Sequence, residues 1–143
     1  MSRQFTLYSL FLWLISTVGW AQELEVDDEG FKSFTITKGD TTYVMREYMF
    51  VMLKAGPNRD QSPEEAAEIQ KGHMEHMAKM TEAGYLAVAG PFGDDSEWRG
   101  IYIFNVNNID TVRDLVNEDP AIQSGRLVAE IHPWWSARGT TLP

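Results

Sequence analysis

The 143-residue chain has no cysteine, few basic residues and only three histidines. Without cysteine there is no disulfide scaffold, no thiolate nucleophile and no cysteine-ligated metal site. The chain carries 12 Lys and Arg against 21 Asp and Glu, which gives a formal net charge of −9. Nucleic acids and anionic membrane surfaces are bound by clustered Lys and Arg, so a chain this acidic is predicted to bind neither.

Residues 1–21 read MSRQFTLYSLFLWLISTVGWA and are predicted to be a secretory signal peptide. Arg3 precedes the apolar run LFLWLI, and Gly19 and Ala21 stand at −3 and −1 of a cleavage site after Ala21. The run is short for a membrane span, which needs about 20 apolar residues, although an uncleaved anchor is the alternative. Because Arg3 is the only charge removed, we expect a periplasmic or secreted protein of net charge −10, without stable membrane association after cleavage.

Residues 48–136 are predicted to form one compact domain with the element order β-α-β-β-α-β. Apolar or alternating runs indicate the strands, and apolar residues at helical spacing indicate the helices. The predicted strands are YMFVMLK (48–54), YLAVAGPF (85–92), GIYIFNV (100–106) and RLVAEIHPWW (126–135), and the helices cover 63–83 and 108–119. This order predicts a ferredoxin-like α+β fold, a four-stranded antiparallel sheet with two helices on one face.

Two segments flank this domain. Residues 22–47 form an acidic lead-in in which the alternating run FKSFTIT is compatible with an edge hairpin with TTYVM, a flexible linker being the alternative. Residues 137–143 are predicted to be a loose tail. Since the helices cover only one face of the predicted sheet, a second copy of the sheet is the simplest cover for the other face, and we expect a homodimer.

A set of ordered motifs in the compact domain resembles the YCII-related domain family. The motifs are LKAGPNR (53–59), a histidine eleven residues before a glycine (His73 to Gly84), AGPF (89–92), RG (99–100), DPAI (119–122), GRL (125–127) and IHPW (131–134). The resemblance implies a dimeric α+β barrel with a cleft between helix and sheet, and a catalytic pair that matches His73 and Asp119 here. Few reactions are assigned in the family, among them dehydrochlorination of a chlorinated hydroxyquinol. Cytosolic members begin near the first strand, so the leader and lead-in argue against carrying over a cytosolic substrate.

Helical geometry separates the two histidines of the run KGHMEHMAKM (71–80). At about 100° per residue, His73 lies at the centre of the apolar face, whereas His76 lies at its boundary and is expected to be solvated. His73 is therefore either a core histidine with a satisfied ring nitrogen or a base that Asp119 orients. Asp119 precedes Pro120, which favours an extended or turn conformation, so its alternative role is to cap a turn.

Other chemistries lack their motifs. A metal site would need both histidines and a third ligand, but Glu75 points to the opposite face of the helix, and no metal is predicted. Neither GxGxxG nor a P-loop is present, and no cofactor is predicted. The absence of GxSxG and of cysteine favours proton transfer, as in elimination, isomerisation or hydration, over a covalent intermediate.

Two arginines are candidates for substrate binding. Arg59 and Arg99 are predicted to lie in loops near glycines, where they either hold an anionic small molecule or form surface salt bridges. The sequence thus favours a cofactor-independent small-molecule enzyme of the lyase, isomerase or hydrolase type. The alternative is a non-catalytic ligand-binding or accessory dimer of the cell envelope. A catalytic His73 must open onto a cavity, whereas a structural one should be sealed by its neighbours.

Overall fold

The computed structural model describes residues 23–143, so the predicted signal peptide lies outside the described residues. This part of the chain contains six strands and three helices. They are β1 (Glu25–Val26), β2 (Lys32–Lys38), β3 (Thr41–Ala55), α1 (Pro63–Glu82), β4 (Leu86–Pro91), β5 (Trp98–Phe104), α2 (Ile109–Asn117), α3 (Pro120–Gln123) and β6 (Leu127–Ala137). Within residues 23–143 no helix is both long and apolar enough to cross a membrane.

The central part of the sheet has the antiparallel strand order β6-β3-β5-β4. With α1 between β3 and β4, and α2 between β5 and β6, this is the βαββαβ order of a ferredoxin-like fold. The predicted α+β class with an antiparallel sheet is therefore confirmed. The predicted number of elements was too small, because β1 and β2 extend the sheet to six strands and α3 adds a short third helix.

Strand β3 is longer than predicted and crosses the expected domain boundary at residue 48. It runs without interruption from Thr41 to Ala55, because the segment TTYVMREYMFVMLKA contains neither Gly nor Pro to end it. Its first part pairs with β2, from Ser33 opposite Arg46 to Lys38 opposite Thr41. Residues 32–46 therefore form a hairpin that belongs to the same sheet as the compact domain.

The hydrophobic core lies between the sheet and the helices. In β3 the side chains of Met49, Val51 and Leu53 are buried, and the alternate residues Phe50 and Met52 are only half-buried. The buried strand residues pack with residues of both longer helices. The core contains Met49, Val51, Leu53, Met80, Leu86, Tyr102, Phe104, Val106, Val112 and Val116.

The opposite face of the central sheet carries no helix and is largely apolar. Phe50 is opposite Ile103 on β5, and Met52 is opposite Ile101, so these four side chains share that face. All four are half-buried within a single chain. The same face carries Trp134 at the end of β6, which is 39% exposed and packs near Phe50.

An ion cluster around Arg46 joins the lead-in to the sheet. Arg46 is 2% exposed, lies 2.5 Å from Asp27 and 3.2 Å from Glu29, and has its guanidinium 4.3 Å from the centre of the Phe31 ring. Arg138, just beyond β6, donates to Glu29 at 2.8 Å. The residues immediately after β6, predicted as a loose tail, are thus tied to the lead-in at Arg138.

Candidate functional site

His73 and Asp119 form a buried hydrogen bond, as expected for the pair. The Nδ1 of His73 lies 2.7 Å from Oδ2 of Asp119, and the two residues are 9% and 1% exposed. A carboxylate only accepts hydrogen bonds, so Nδ1 carries the hydrogen and donates it. The other ring nitrogen, Nε2, is left as the one that can accept a proton.

Asp119 also caps a helix, so it makes the contact with His73 and the capping contact at the same time. It lies in an extended conformation (φ −69°, ψ 123°), as a residue before proline should, and is the N-cap of α3. Its second oxygen, Oδ1, accepts from the backbone N–H of Ala121 at 2.8 Å. One carboxylate therefore orients the imidazole and ends the turn between α2 and α3.

A glycine in α1 lets the histidine reach this turn. Gly72 packs against Pro120, and a Cβ at residue 72 would lie 2.9 Å from Cγ of Pro120. Only a residue without a side chain permits this approach, which brings the next residue, His73, to Asp119. The close packing of α1 on α3 thus sets the geometry of the pair.

Tyr102 completes the buried group and was not identified from the sequence. Its hydroxyl lies 3.5 Å from Nε2 of His73, at the outer limit of a hydrogen bond, and the two rings stack with an interplanar angle of 25°. Burial, followed by the negative charge of Asp119, raises the pKa of Tyr102 far above its usual value. The phenol therefore stays neutral and can donate. In the sequence it reads only as an inward-facing residue of a core strand.

His76 belongs to a different environment. It is half-buried, and its Nε2 donates to the carbonyl of Leu115 on α2 at 2.7 Å. The prediction that His76 is solvated was therefore wrong, because α2 packs beside this part of α1. Over residues 23–143 no three His, Asp or Glu side chains converge on a position suitable for a metal ion.

His73 lies on the wall of a cavity of about 490 Å³ between α1 and the sheet. Met74 and Met77 of α1 line one side, and Leu53, Gly100 and Tyr102 line the sheet side. Gly100 allows β5 to lie close to β4, since a Cβ there would lie 2.8 Å from the carbonyl oxygen of Gly90. The histidine is therefore not sealed into the core, and the cavity is large enough for a small organic molecule.

Two turns at the mouth of this cavity are joined to each other. The N–H of Gly56, after β3, donates to the carbonyl of Arg126 at 2.8 Å, and the N–H of Asn58 donates to that of Gly125 at 3.0 Å. A Cβ on Gly56 would lie 2.1 Å from the oxygen of Gly125, so the turns could not meet with a larger residue there. Their pairing brings the side chains of Arg59 and Arg126 to the cavity.

Arg99 reaches the cavity through an irregularity in β5. Gly100 is opposite Leu53 and Trp98 is opposite Lys54, so Arg99 between them has no partner on β3. A bulge of this kind redirects a side chain that would otherwise follow the alternation of the strand. Arg99 lines the cavity. The sequence analysis had placed Arg99 in the loop before this strand, but it lies within β5.

The structure thus brings together all four predicted site residues, His73, Asp119, Arg59 and Arg99, at or beside one cavity. It adds Tyr102 and Arg126, which the sequence analysis did not select. Arg126 lies in the motif GRL (125–127), and its glycine has φ +73°, which marks a tight turn. The glycine before Arg126 could have indicated a turn from the sequence alone. It does not indicate that the turn after β3 packs against it.

Comparison with known proteins gives a family and related solved structures. A sequence model described as the YCII-related domain matches residues 49–135, more than half of the chain. No curated protein matches. A solved structure of 5-chloro-2-hydroxyhydroquinone dehydrochlorinase (TftG) from Burkholderia phenoliruptrix AC1100, in complex with 2,5-dihydroxybenzoquinone, is 18% identical with a TM-score of 0.45. The alignment covers 60% of this chain and 92% of that one.

Proposed function

The chain belongs to the YCII-related domain family, and from this premise we propose that it is a small-molecule enzyme in which His73 and Asp119 transfer a proton. The observation that carries the proposal is that His73, with its Nδ1 held by a buried carboxylate at 2.7 Å, lines a cavity of about 490 Å³. A purely structural pair would not need access to a cavity. The proposal requires no cofactor, because the base that accepts the proton and the carboxylate that orients it both belong to this chain.

In the proposed mechanism Nε2 of His73 is the general base. It accepts a proton from a carbon or oxygen of the bound substrate, or from a water molecule in a hydration, and the adjacent carboxylate of Asp119 stabilises the imidazolium that forms. The imidazolium then returns the proton to another atom of the substrate or to a leaving group. Elimination, isomerisation and hydration all follow this scheme, and none of them needs a covalent intermediate.

The substrate is proposed to be anionic and to be held by Arg59 and Arg99. Both arginines line the same cavity as His73. Guanidinium groups bind carboxylates, phosphates and phenolates through paired hydrogen bonds, and they would fix the substrate relative to Nε2.

A hydrogen-exchange screen tests the proposal without knowledge of the reaction direction. Small carbonyl acids and phenols are incubated with the protein in D₂O, and deuterium incorporation and product formation are followed by proton NMR. We expect turnover of at least one compound class. His73→Gln, which keeps the side-chain volume but removes the base, should lower the rate about 10²- to 10⁴-fold. Glu75→Gln, on the exposed face of α1, is the matched control.

One outcome of this screen would contradict the proposed catalysis. A compound that raises the melting temperature of wild type and His73→Gln alike, with exchange or turnover in neither protein, would contradict catalysis. The pair would then be structural, and the protein would be a ligand-binding or accessory protein, which is the alternative that the capping role of Asp119 favours.

We further propose that the protein acts as a homodimer outside the cytoplasm. The apolar, helix-free face around Phe50, Met52 and Ile101 supports the dimer, because a half-buried apolar face on a sheet normally has a cover. Export rests on the predicted signal peptide. It is tested by the intact mass of the protein recovered from the periplasm or medium of a bacterial host, which should lack residues 1–21.

A further inference from the structure

The arginines of the described part of the chain divide into two groups. Arg46, Arg113 and Arg138 each form an ion pair with a carboxylate. The remaining three, at the cavity, form none within residues 23–143. They are Arg59, Arg99 and Arg126, called here the arginine trio. In a chain with 21 acidic residues, three neighbouring arginines without a carboxylate partner are not explained by surface ion pairing.

The hydrogen bonds of the trio leave most of its donors free. One nitrogen of Arg59 donates to the carbonyl of Arg126 at 3.0 Å, and one nitrogen of Arg126 donates to Oε1 of Gln61 at 2.7 Å. These contacts fix the position of the two side chains but do not neutralise their charges. A guanidinium has five N–H donors, so each of these two arginines retains further donors for a ligand.

Arg99 provides a second, independent observation. Its Nε is buried and has no hydrogen-bond partner among residues 23–143. A buried donor without a partner is costly, and native proteins leave few of them unless another molecule satisfies the group. Since Arg99 lines the cavity, a ligand in the cavity can supply the missing acceptor.

The trio also repels itself. Partial desolvation of the exposed Arg59, followed by the positive charges of Arg126 and Arg99, lowers the pKa of its guanidinium. Three like charges at one mouth are unfavourable until an anion joins them, and a ligand with a single negative charge offsets only part of the repulsion.

We propose that the arginine trio is a subsite for a small dianion, so that the substrate carries a phosphate or two carboxylates beside the part that His73 acts on. This inference rests on the proposed function in taking the cavity as the substrate site, and it adds the charge class of the ligand. Arg126 becomes a third binding residue, and Gln61 positions it. Phosphate and dicarboxylate share the chemistry that the trio recognises, which is several negative oxygens within reach of planar guanidinium groups.

Binding of simple anions tests the subsite directly. Inorganic phosphate, malonate and acetate are titrated at constant ionic strength, set with sodium chloride, and the dissociation constant is measured by calorimetry. We expect phosphate or malonate to bind at least about tenfold more tightly than acetate, since each additional charged hydrogen bond is worth roughly one factor of ten or more. The tighter of the two identifies phosphate or dicarboxylate as the preferred group.

Variants assign the binding to the trio. Arg126→Gln and Arg99→Gln should each weaken binding of the preferred dianion about tenfold or more. Arg113→Gln, whose wild-type side chain is paired with Asp110 on α2, is the matched control and should bind as wild type does. Circular dichroism checks that each variant is folded. If Arg126→Gln is not folded, Arg126→Lys, which keeps the charge but loses the planar fork, should also weaken binding.

Two results would overturn the inference. One is equal binding of acetate and both dianions at matched ionic strength, and the other is unchanged dianion binding in both trio variants. Failure of the proposed function has a different signature, because His73→Gln should leave dianion binding intact. If the protein binds dianions but turns over no compound, the proposed catalysis is wrong and the dianion subsite stands. If it turns over neutral compounds but binds no dianion, the dianion subsite is wrong and the proposed catalysis stands.

Discussion

Asp119 serves two donors at once, His73 through Oδ2 and the Ala121 amide through Oδ1. Because the side chain is 1% exposed, water cannot replace either contact. The residue therefore couples the orientation of the imidazole to the local fold of the α2–α3 turn. Its proposed catalytic role and its structural role are separable only by a substitution that satisfies one donor and not the other.

Asp119→Asn is such a substitution. An amide offers one oxygen and one NH₂ group, so when its oxygen accepts from the Ala121 N–H its NH₂ faces the Nδ1–H of His73. Either this donor–donor contact or the change of tautomer that relieves it removes a charged hydrogen bond, which should cost about 1–3 kcal/mol, measured by chemical denaturation. Asp114→Asn, exposed on α2, should change the free energy of unfolding by less than about 0.5 kcal/mol. Equal stability of both variants would show that the carboxylate is not needed by both donors.

At the scale of elements, the site depends on how closely α1 approaches its neighbours. The sequence predicted α1 well, since the expected range 63–83 is close to Pro63–Glu82 and the apolar face points His73 inwards; Ser62 and Glu65 form a capping box at its start. The contact of Gly72 with Pro120 was not predictable, since periodicity gives the direction of a side chain but not the distance between two helices. Arg126 was not predicted for the same reason, because its position depends on a turn 70 residues earlier in the chain, at Gly56.

Gly72→Ala tests the helix contact through the sign of its effect. In an exposed helix this change stabilises by roughly 0.5–1 kcal/mol. Here the new Cβ would meet Pro120 at 2.9 Å, so we expect a net loss of stability and a displaced His73. The measurements are the free energy of unfolding and the NMR signal of the Nδ1 hydrogen in the His73–Asp119 bond. Stabilisation, with that signal unchanged, would contradict the proposed role of the contact.

The Arg46 cluster predicts how stability depends on pH. Burial alone would raise the pKa of Asp27, but hydrogen bonds from the Phe31 N–H and from Arg46 lower it, and a hydrogen bond from Arg46 lowers that of Glu29. Groups with a lowered pKa in the folded state stabilise above their ordinary pKa values, 3.8 and 4.5 here. That contribution is lost as the pH falls through the lowered values.

Denaturation between pH 7 and pH 3 checks this dependence. Wild type should lose stability progressively at the acid end of the range. Arg46→Met should be less stable at neutral pH and should lose less on acidification, because the two carboxylates no longer have a charged partner. Arg113→Met, in an exposed ion pair on α2, should follow the wild-type curve. A variant curve at Arg46 parallel to that of wild type would exclude the cluster as the cause.

At the scale of the whole molecule, the helix-free face of the sheet leaves a group of apolar side chains only half-buried. The order βαββαβ followed from hydrophobic periodicity, and so did the expectation that a second copy of the sheet covers this face. The continuous strand β3 did not follow, because its first part, TTYVMRE, is mixed in polarity and its second part, YMFVMLK, is apolar at nearly every position. The two patterns read as separate segments, whereas one backbone hydrogen-bond ladder spans both.

The proposed dimer is tested by a charge on the exposed face. Ile101→Glu should convert the dimer to a monomer in sedimentation or light-scattering measurements, because a carboxylate cannot be buried in an apolar interface without a partner. Leu142→Glu places the same charge on an 81% exposed residue at the end of the chain and should remain dimeric. A wild-type protein that is monomeric at micromolar concentration would contradict the proposed dimer.

The continuity of β3 limits the insertions and deletions that the sequence can accept. Arg46, held by the lead-in, and Leu53, at the cavity, lie on one strand whose two sides are both paired in fixed register. A one-residue insertion or deletion between them would turn every later side chain to the other face of the sheet. The number of residues between the ion cluster and the cavity is therefore fixed. Insertions and deletions among related sequences should be confined to the segments outside residues 41–55.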